Sequence, residues 1–221
     1  MGFSVRQSAS TFSSGGATPL TATLSSAPNT GNFIAVEAVA YGGLAVSFGT
    51  PTDTGSTNTF HLAQFEADHG TTDGALCIYF AWNAIATAGA DTVSITHIGL
   101  VNQISVQEFT GVQKTSTPLD GANGGFAKTG TTSPSIIVNN AGTGDLVIGF
   151  STSNSGQSTA GATTPNLIIG TNGQVAEWGT QSGTGNVTVT SGPADTSWVM
   201  VAAGFKTAPA ATSNAIFYGA D

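Results

Sequence analysis

The chain has 221 residues, and only 16 of them are charged: 12 are acidic and 4 are basic, for a formal net charge of −8. Charged residues make up 7% of the chain, against roughly 25% in a typical soluble domain. The acidic balance argues against nucleic acid and anionic membranes as partners, because both attract clustered Lys and Arg. No apolar run approaches the roughly 20 residues of a membrane-spanning helix.

Strand patterns recur along the whole chain, and helical patterns are almost absent. Period-2 alternation and short apolar runs are separated by Gly, Asn, Ser and Pro clusters. They predict strands at about 3–11, 19–25, 32–41, 44–49, 59–66, 75–83, 91–97, 100–110, 134–139, 144–152, 165–169, 174–179, 185–191 and 196–206. The predicted fold class is all-β, a single jelly-roll-like β-sandwich with a short C-terminal arm.

Two of these strands indicate how the layers are arranged. Residues 32–41 are largely apolar on both faces, which predicts a central strand that is covered on both sides. Residues 186–190 alternate cleanly, with Val187 and Val189 predicted to point inward and the threonines outward. Thr suits a solvated sheet face because its branched side chain fits the pleat and its hydroxyl meets water.

Two parts of the chain are distinguished by composition. No composition break divides residues 1–207, which are predicted to form one β-sandwich domain. Residues 208–221 begin as a linker and end in an apolar knot of Ile216, Phe217 and Tyr218. This segment is either a tail that packs on its own domain or an arm that inserts into a neighbouring subunit. We favour the arm, with these three residues as subunit contacts.

Patterns typical of catalysis are weak. Each of the four glutamates lies on a predicted strand, and no two of them form a local carboxylate pair of the kind that glycoside hydrolysis uses. Glu108 shares a strand face with Ile104 and Val106, so it is predicted to point inward as either a general acid or a structural carboxylate. We prefer the structural interpretation. The chain is therefore predicted not to be an enzyme and to have no catalytic residue.

Metal and thiol chemistry is also weakly indicated. The three histidines form neither H-x-H nor H-E-x-x-H, so no zinc site is predicted. Asp53, Asn58 and the loop Asp68–Asp73 offer oxygen ligands for calcium, with ordinary Asx-turn chemistry as the alternative. No cofactor is predicted to be required. Cys77 lies in an apolar run and is predicted to be a buried small side chain.

Two tryptophans differ in their surroundings. Trp198 lies in a continuous apolar run and is predicted to be part of the core. Trp178 lies in a polar stretch, residues 174–181, and three interpretations stay open for it. The three interpretations are that Trp178 stacks on a sugar ring, that it fills a subunit interface, where Trp is enriched, or that it is buried in its own domain. Trp178 is thus the candidate glycan-contact residue.

The order of corners and core strands carries a family resemblance over roughly residues 3–206. The segments concerned are 21–36, 53–60, 79–83, 91–95, 106–112, 118–120, 144–149 and 198–205. In this order they resemble lectin-like jelly-roll β-sandwiches of bacteriophage virion structural proteins and bacterial surface proteins. The resemblance implies attachment, decoration or sugar binding and brings no catalytic signature.

From this resemblance we expect a non-enzymatic phage virion structural protein, either a capsid decoration or a tail accessory subunit. Its expected partners are other virion proteins and copies of itself. Low charge suits repeated protein–protein contacts, because charges at an interface must be desolvated or paired. The sequence starts without the basic and apolar blocks of a signal peptide, which favours a virion location. The alternative is a carbohydrate-binding or adhesion module of a cell or phage surface, with an extracellular location.

Overall fold

The computed structural model describes residues 2–16, 18–42, 46–55, 57–67, 74–86, 88–127, 131–153, 156–157, 159–171 and 174–209. In these ranges no helix is long and apolar enough to cross a membrane. The predicted arm with Ile216, Phe217 and Tyr218, and the predicted calcium-ligating loop 68–73, lie outside the described residues.

The strands fall into two consecutive groups. The first group is β1 (Ser4–Ser13), β2 (Leu20–Thr23), β3 (Phe33–Tyr41), β4 (Ser47–Phe48), β5 (His61–Ala67), β6 (Ala75–Ala81), β7 (Thr92–Ile95), β8 (His97–Ile98) and β9 (Val101–Thr110). The second group is β10 (Leu119–Ala127), β11 (Ser135–Ala141), β12 (Leu146–Ser153), β13 (Thr159–Ala160), β14 (Asn166–Thr171), β15 (Gln174–Thr180), β16 (Gly185–Gly192) and β17 (Trp198–Phe205). Every strand predicted from the sequence overlaps one of these strands. The sequence prediction missed β10 and β13, and its strand 91–97 includes only the first residue of β8.

Two five-stranded antiparallel sheets form the centre of the molecule. Sheet I has the order β1-β9-β3-β6-β5, and sheet II has the order β10-β17-β12-β15-β14. The core between them is aromatic: the rings of Phe33 in sheet I and Phe205 in sheet II have centroids 4.7 Å apart. A small sheet of β2 and β7 covers the outer face of sheet I, and the small sheet β11-β16-β13 covers sheet II. The all-β sandwich is confirmed, while jelly-roll connectivity stays a prediction.

Strand β3 shows why the central strands are apolar on both faces. Phe33 and Val39 pack in the core between the large sheets. Ile34 and Val36 point the other way and pack under the small β2–β7 sheet. The prediction that residues 32–41 form a central strand covered on both sides is therefore confirmed.

Further burial predictions are confirmed in the same way. Val187 and Val189 of β16 are buried, whereas Thr188 between them is exposed. Trp198 is buried in the core of the second group, and its indole N–H donates to Thr132 Oγ1 at 3.1 Å. Cys77 is fully buried, and burial raises the pKa of its thiol well above the ordinary value.

The two strand groups have the same connectivity, which the sequence analysis did not predict. Leaving out the two-residue strands β4, β8 and β13, each group has seven strands. In both groups the large sheet has the order first, seventh, third, fifth, fourth, and the second strand pairs with the sixth. The turns before the third strands also match: Gly31 and Gly144 have φ angles of 85° and 84°. The chain is therefore built as an internal duplication.

The register irregularities repeat as well. Arg6 is the extra residue of a bulge in β1, and Asp120 is the extra residue at the matching position of β10. Ala63 in β5 and Ile168 in β14 form a second matching pair of bulges. All four edge strands of the large sheets thus carry a bulge. Bulges discourage edge-to-edge pairing between molecules, so they protect edges that this charge-poor chain does not protect with lysines.

Glycines in β10 explain both why that strand was missed and how the two sheets approach each other. The sequence of β10 contains three glycines and is typical of a loop. A Cβ atom on Gly124 would lie 2.8 Å from Glu66 Oε2 and 2.9 Å from Glu66 Cβ, both on β5. The missing side chain lets β10 lie against β5. At the opposite edge, β1 and β14 are farther apart, and the space between them is open.

Candidate functional site

The open edge forms a groove of about 610 Å³ between β1 and β14. Phe3, Val5, Ile168 and Trp178 supply apolar surface, and Val5, Ile168 and Trp178 also pack against the central core. Because the two strands belong to different sheets and different halves of the chain, the groove exists only once the halves have packed together. The matching edge, β5 against β10, is closed at Gly124.

Trp178 is half-buried at this groove. It lies on the face of β15 that points toward sheet I, and its ring packs edge-on against Phe109 with centroids 5.6 Å apart. Asn166 Nδ2 donates to the carbonyl oxygen of Trp178 at 3.1 Å, which ties β14 to β15 at this point. The candidate glycan-contact residue therefore packs against the core with part of its surface open to the groove.

The polar residues of the groove are neutral. Ser4, Ser8 and Asn166 contribute hydroxyl and amide groups, and the described residues that line the groove include no ionisable side chain. Ser4 shares a hydrogen bond with Thr110 Oγ1 at 2.8 Å. An apolar floor with a few polar groups is the usual composition of a small-molecule site. The absence of charge from the lining favours an uncharged ligand.

Both strands that border the groove are bulged at the groove itself. The bulge in β1 is at Arg6, between lining residues Val5 and Ser8, and the bulge in β14 is at Ile168. A bulge interrupts the regular row of N–H and C=O groups that an added strand would pair with. The groove is therefore better suited to recognition by side chains than to pairing with an extended peptide.

Polar side chains continue from the groove into the core between the sheets. Ser8 faces Gln107 across the β1–β9 pair. Gln107 Nε2 donates to Glu37 Oε2 at 2.5 Å and also to Ser105 Oγ. Glu37, Gln103, Ser105 and Gln107 are all buried, and oxygen atoms of Glu37, Gln103 and Gln107 have no hydrogen-bond partner among the described residues. Burial raises the pKa of Glu37 to about 8.

The duplication shows that the fold does not require this polar cluster. Counted from the matching pairs Phe33–Phe109 and Leu146–Phe205, the position of Glu37 corresponds to Phe150 in sheet II. By the same count Gln103, Ser105 and Gln107 correspond to Val199, Val201 and Ala203. Sheet II fills these positions with apolar side chains, and buried polar groups without partners are costly. The polar cluster is thus specific to the half that forms the β1 side of the groove.

Glu108 takes up the structural role that the sequence analysis preferred. Its carboxylate accepts hydrogen bonds from Arg6 Nη1, Gln7 Nε2 and Asn32 Nδ2, each at 2.6 Å, and from the Asn29 backbone N–H at 2.8 Å. Although desolvation opposes ionisation, these donors together lower its pKa. A carboxylate that is held ionised by four donors cannot readily act as a general acid at neutral pH.

Asp53 is satisfied by the loop that follows it. Both of its oxygens accept from Thr57 and Asn58, including the Thr57 backbone N–H at 2.8 Å and Asn58 Nδ2 at 2.5 Å. This arrangement is the Asx-turn chemistry that the sequence analysis gave as the alternative to calcium. Within the described ranges, no group of three or more His, Cys, Asp or Glu side chains is placed to hold a metal ion.

Most acidic side chains lie inside the molecule. Of the 12 acidic residues, seven are buried: Glu37, Asp53, Asp91, Glu108, Asp145, Glu177 and Asp195. Burial also raises the pKa of Glu177 to about 8, although Glu177 Oε2 accepts a hydrogen bond from the Gly161 N–H at 2.7 Å. The described surface is therefore even poorer in charge than the composition implies. Buried carboxylates repel an anionic partner less than exposed ones do, so the net charge of the chain is a weaker argument against nucleic acid and anionic membranes than the composition suggests.

Comparisons of the chain with protein-family models, with curated proteins and with solved structures found no match. Trp178 could be identified from the sequence because a tryptophan in a polar stretch is unusual, but Phe3, Val5 and Ser8 could not. These residues reach the groove through strand pairings between distant parts of the chain, and no local signal marks them.

Proposed function

We propose that this chain is a non-enzymatic binding module whose groove between β1 and β14 holds a neutral glycan. The observation that carries the proposal is a tryptophan that packs on Phe109 in a groove whose described lining residues supply hydroxyl, amide and apolar groups and no ionisable side chain. Trp178 supplies a flat apolar surface for a sugar ring, and Ser4, Ser8 and Asn166 supply hydrogen-bonding groups for its hydroxyls. The resemblance to lectin-like sandwiches points in the same direction.

The size and borders of the groove limit what it holds. A volume of about 610 Å³ has room for more than one sugar ring. The bulges in both bordering strands disfavour an added peptide strand. The proposed ligand is therefore a short uncharged oligosaccharide, or the end of a longer neutral chain.

Binding to a glycan array tests this proposal. We expect the full chain to bind a small set of neutral glycans, and free glycan to compete for that binding. Trp178→Ala should lose the binding, whereas Ile137→Ala should keep it, because Ile137 is an exposed apolar residue on β11, outside the groove. Absence of binding to every neutral glycan, or unchanged binding by Trp178→Ala, would contradict the proposal.

A second candidate function is that of a virion structural subunit acting through repeated protein–protein contacts. Its support is a surface that combines little charge with exposed apolar side chains: Ile98 and Leu100 are 62% and 64% exposed. On this proposal the subunit sits on the capsid or tail, and residues 208–221 serve as the arm, with Ile216, Phe217 and Tyr218 as contacts. Light scattering of the full chain and of a chain without residues 208–221 tests it. A larger assembly that depends on the tail supports the subunit, and a monomer in both cases contradicts it.

A further inference from the structure

A second cavity lies at the opposite edge of sheet I from the groove. It has a volume of about 140 Å³ and is formed where the chain enters β5 and leaves β6. Thr57, Asn58, His61, Trp82 and Asn83 line it. Because β1 and β5 are the two edges of sheet I, a ligand in this cavity would be separated from the groove by the width of the sheet.

The internal duplication places a cavity at the same point of the second half. That cavity, of about 470 Å³, lies where the chain enters β14 and leaves β15, and Thr163, Pro165 and Thr180 are among its lining residues. The backbone that closes each cavity is fixed by matching hydrogen bonds. In the first half they join Ala84 to Asn32 and to Gly31, and in the second half Gln181 to Asp145 and to Gly144, all at 2.8 Å.

The first-half cavity differs from its counterpart in its aromatic side chains. The rings of His61 and Trp82 have centroids 4.5 Å apart, and the centroid of the Phe80 ring lies 5.7 Å from each of them. Counted along the matching registers of β5–β6 and β14–β15, the positions of His61 and Trp82 are occupied by Asn166 and Thr180 in the second half. The fold therefore does not require an aromatic pair at this position.

Two asparagines complete the cavity. Asn58 is held firmly, because its Nδ2 donates to Asp53 Oδ2 at 2.5 Å and its Oδ1 accepts from the Ile85 N–H at 2.8 Å. Asn83 has no counterpart in the second half: it is an extra residue between the positions of Trp82 and Ala84, which match the adjacent residues Thr180 and Gln181. Its φ angle of 55° is left-handed. A residue other than glycine in this conformation is energetically costly and persists only where the surrounding structure fixes it. Such residues cluster at ligand sites.

We propose that this cavity is a second sugar-binding site, which holds a single neutral ring against Trp82 and His61 with the amide of Asn83 at its edge. This inference rests on the proposed glycan-binding function and extends it to two sites, one at each edge of sheet I. A molecule with two such sites bridges two glycan chains or binds a glycan-coated surface with avidity. The small volume restricts the second site to one ring, whereas the groove has room for more.

The chain contains three tryptophans, so its indole N–H signals report on each site separately. The protein is labelled with ¹⁵N-tryptophan and titrated with glucose, galactose, mannose and N-acetylglucosamine, and then with their disaccharides. The signals are assigned with one Trp→Phe variant for each position. Trp198 is the internal control, because it is buried and its indole donates to Thr132.

We expect the Trp82 and Trp178 signals to shift in a saturable way with the same sugar and the Trp198 signal to stay in place. His61→Ala should weaken the Trp82 response about tenfold and leave the Trp178 response unchanged, because an aromatic contact is typically worth about that factor in affinity. His61 is exposed on an edge strand, so its removal should leave the core intact.

The possible failures are distinguishable. If only the Trp178 signal shifts, the second site is overturned while the proposed function stands. If only the Trp82 signal shifts, the second site stands and the groove is wrong. If no sugar moves either signal, both are overturned. An unchanged Trp82 response in His61→Ala would also overturn the stacked site.

Discussion

Replacing Glu37 by Gln should remove much of the pH dependence that this buried carboxyl gives to stability. Glu37 has no exposed surface, and burial raises its pKa from 4.5 to about 8. In the folded chain it stays protonated up to that pH, whereas in the unfolded chain it ionises near 4.5. The unfolded state therefore binds fewer protons between these values, and the free energy of unfolding falls as the pH rises through this window.

The size of the effect follows from the shift in pKa. One pKa unit corresponds to about 1.4 kcal/mol, so a shift of this size gives a loss of at most about 5 kcal/mol between pH 4.5 and pH 9. The pKa of Glu177 is raised in the same direction, to about 8, so its contribution to the loss of stability has a similar upper limit. Because whole domains are stable by only about 5–15 kcal/mol, the wild-type chain should be much less stable in alkali than at pH 5.

Urea unfolding at pH 5, 7 and 9, followed by tryptophan fluorescence, measures this dependence. Glu37→Gln should lose clearly less stability between pH 5 and pH 9 than the wild type. Gln107 can still donate to the carbonyl oxygen of the new side chain, which has no carboxyl group to titrate. Thr188→Ser, at an exposed position of β16 that carries no ionisable group, is the control and should keep the wild-type slope. If Glu37→Gln has the wild-type pH slope, the buried carboxyl does not titrate as argued.

Three further predictions follow from other contacts. Arg6→Ala should cost about 2 kcal/mol at neutral pH, because it removes a donor from a buried carboxylate. The pKa of Glu108 is lowered in the folded chain, so urea unfolding should show this cost shrinking in acid as Glu108 protonates, and an unchanged midpoint at neutral pH would contradict the prediction. Gly124→Ala should lower the free energy of unfolding by about 1–3 kcal/mol, because a Cβ atom at this position would collide with Glu66. Gly183→Ala is its control: a Cβ atom there has no neighbour within 4 Å, so the free energy of unfolding should change by less than about 0.5 kcal/mol in the same assay. Residues 1–112 and 113–221, expressed as separate chains, should co-purify because they share the central core, and independent monomers of each half would refute this.

Strand positions could be read from the sequence because burial leaves a local pattern. Residues 32–41 are apolar on both faces because two different layers cover them, and Val187 and Val189 alternate with exposed threonines because only one face of β16 is covered. Strand β10 has no such pattern. Its glycines serve close packing against β5 and β11, which depends on partners far away in the chain.

The duplication could not be recognised from residue identity, because the halves share positions more than side chains. The clearest local signal is Thr30-Gly-Asn32 against Thr143-Gly-Asp145, each just before a buried third strand. The polar cluster around Glu37 is hidden for a related reason. Period-2 patterning places Glu37 on a strand but does not show which layer its face meets, and its partner Gln107 comes from a strand 70 residues later.

The burial of acidic side chains has a consequence for how the folded chain moves in an electric field. With Glu37 and Glu177 protonated at neutral pH, the native molecule carries about two fewer negative charges than the formal −8. Unfolding in urea releases both protons and exposes every carboxylate. The net negative charge, obtained as electrophoretic mobility multiplied by the friction coefficient, should therefore rise on unfolding at constant neutral pH, so the chain becomes a stronger anion when it loses its structure.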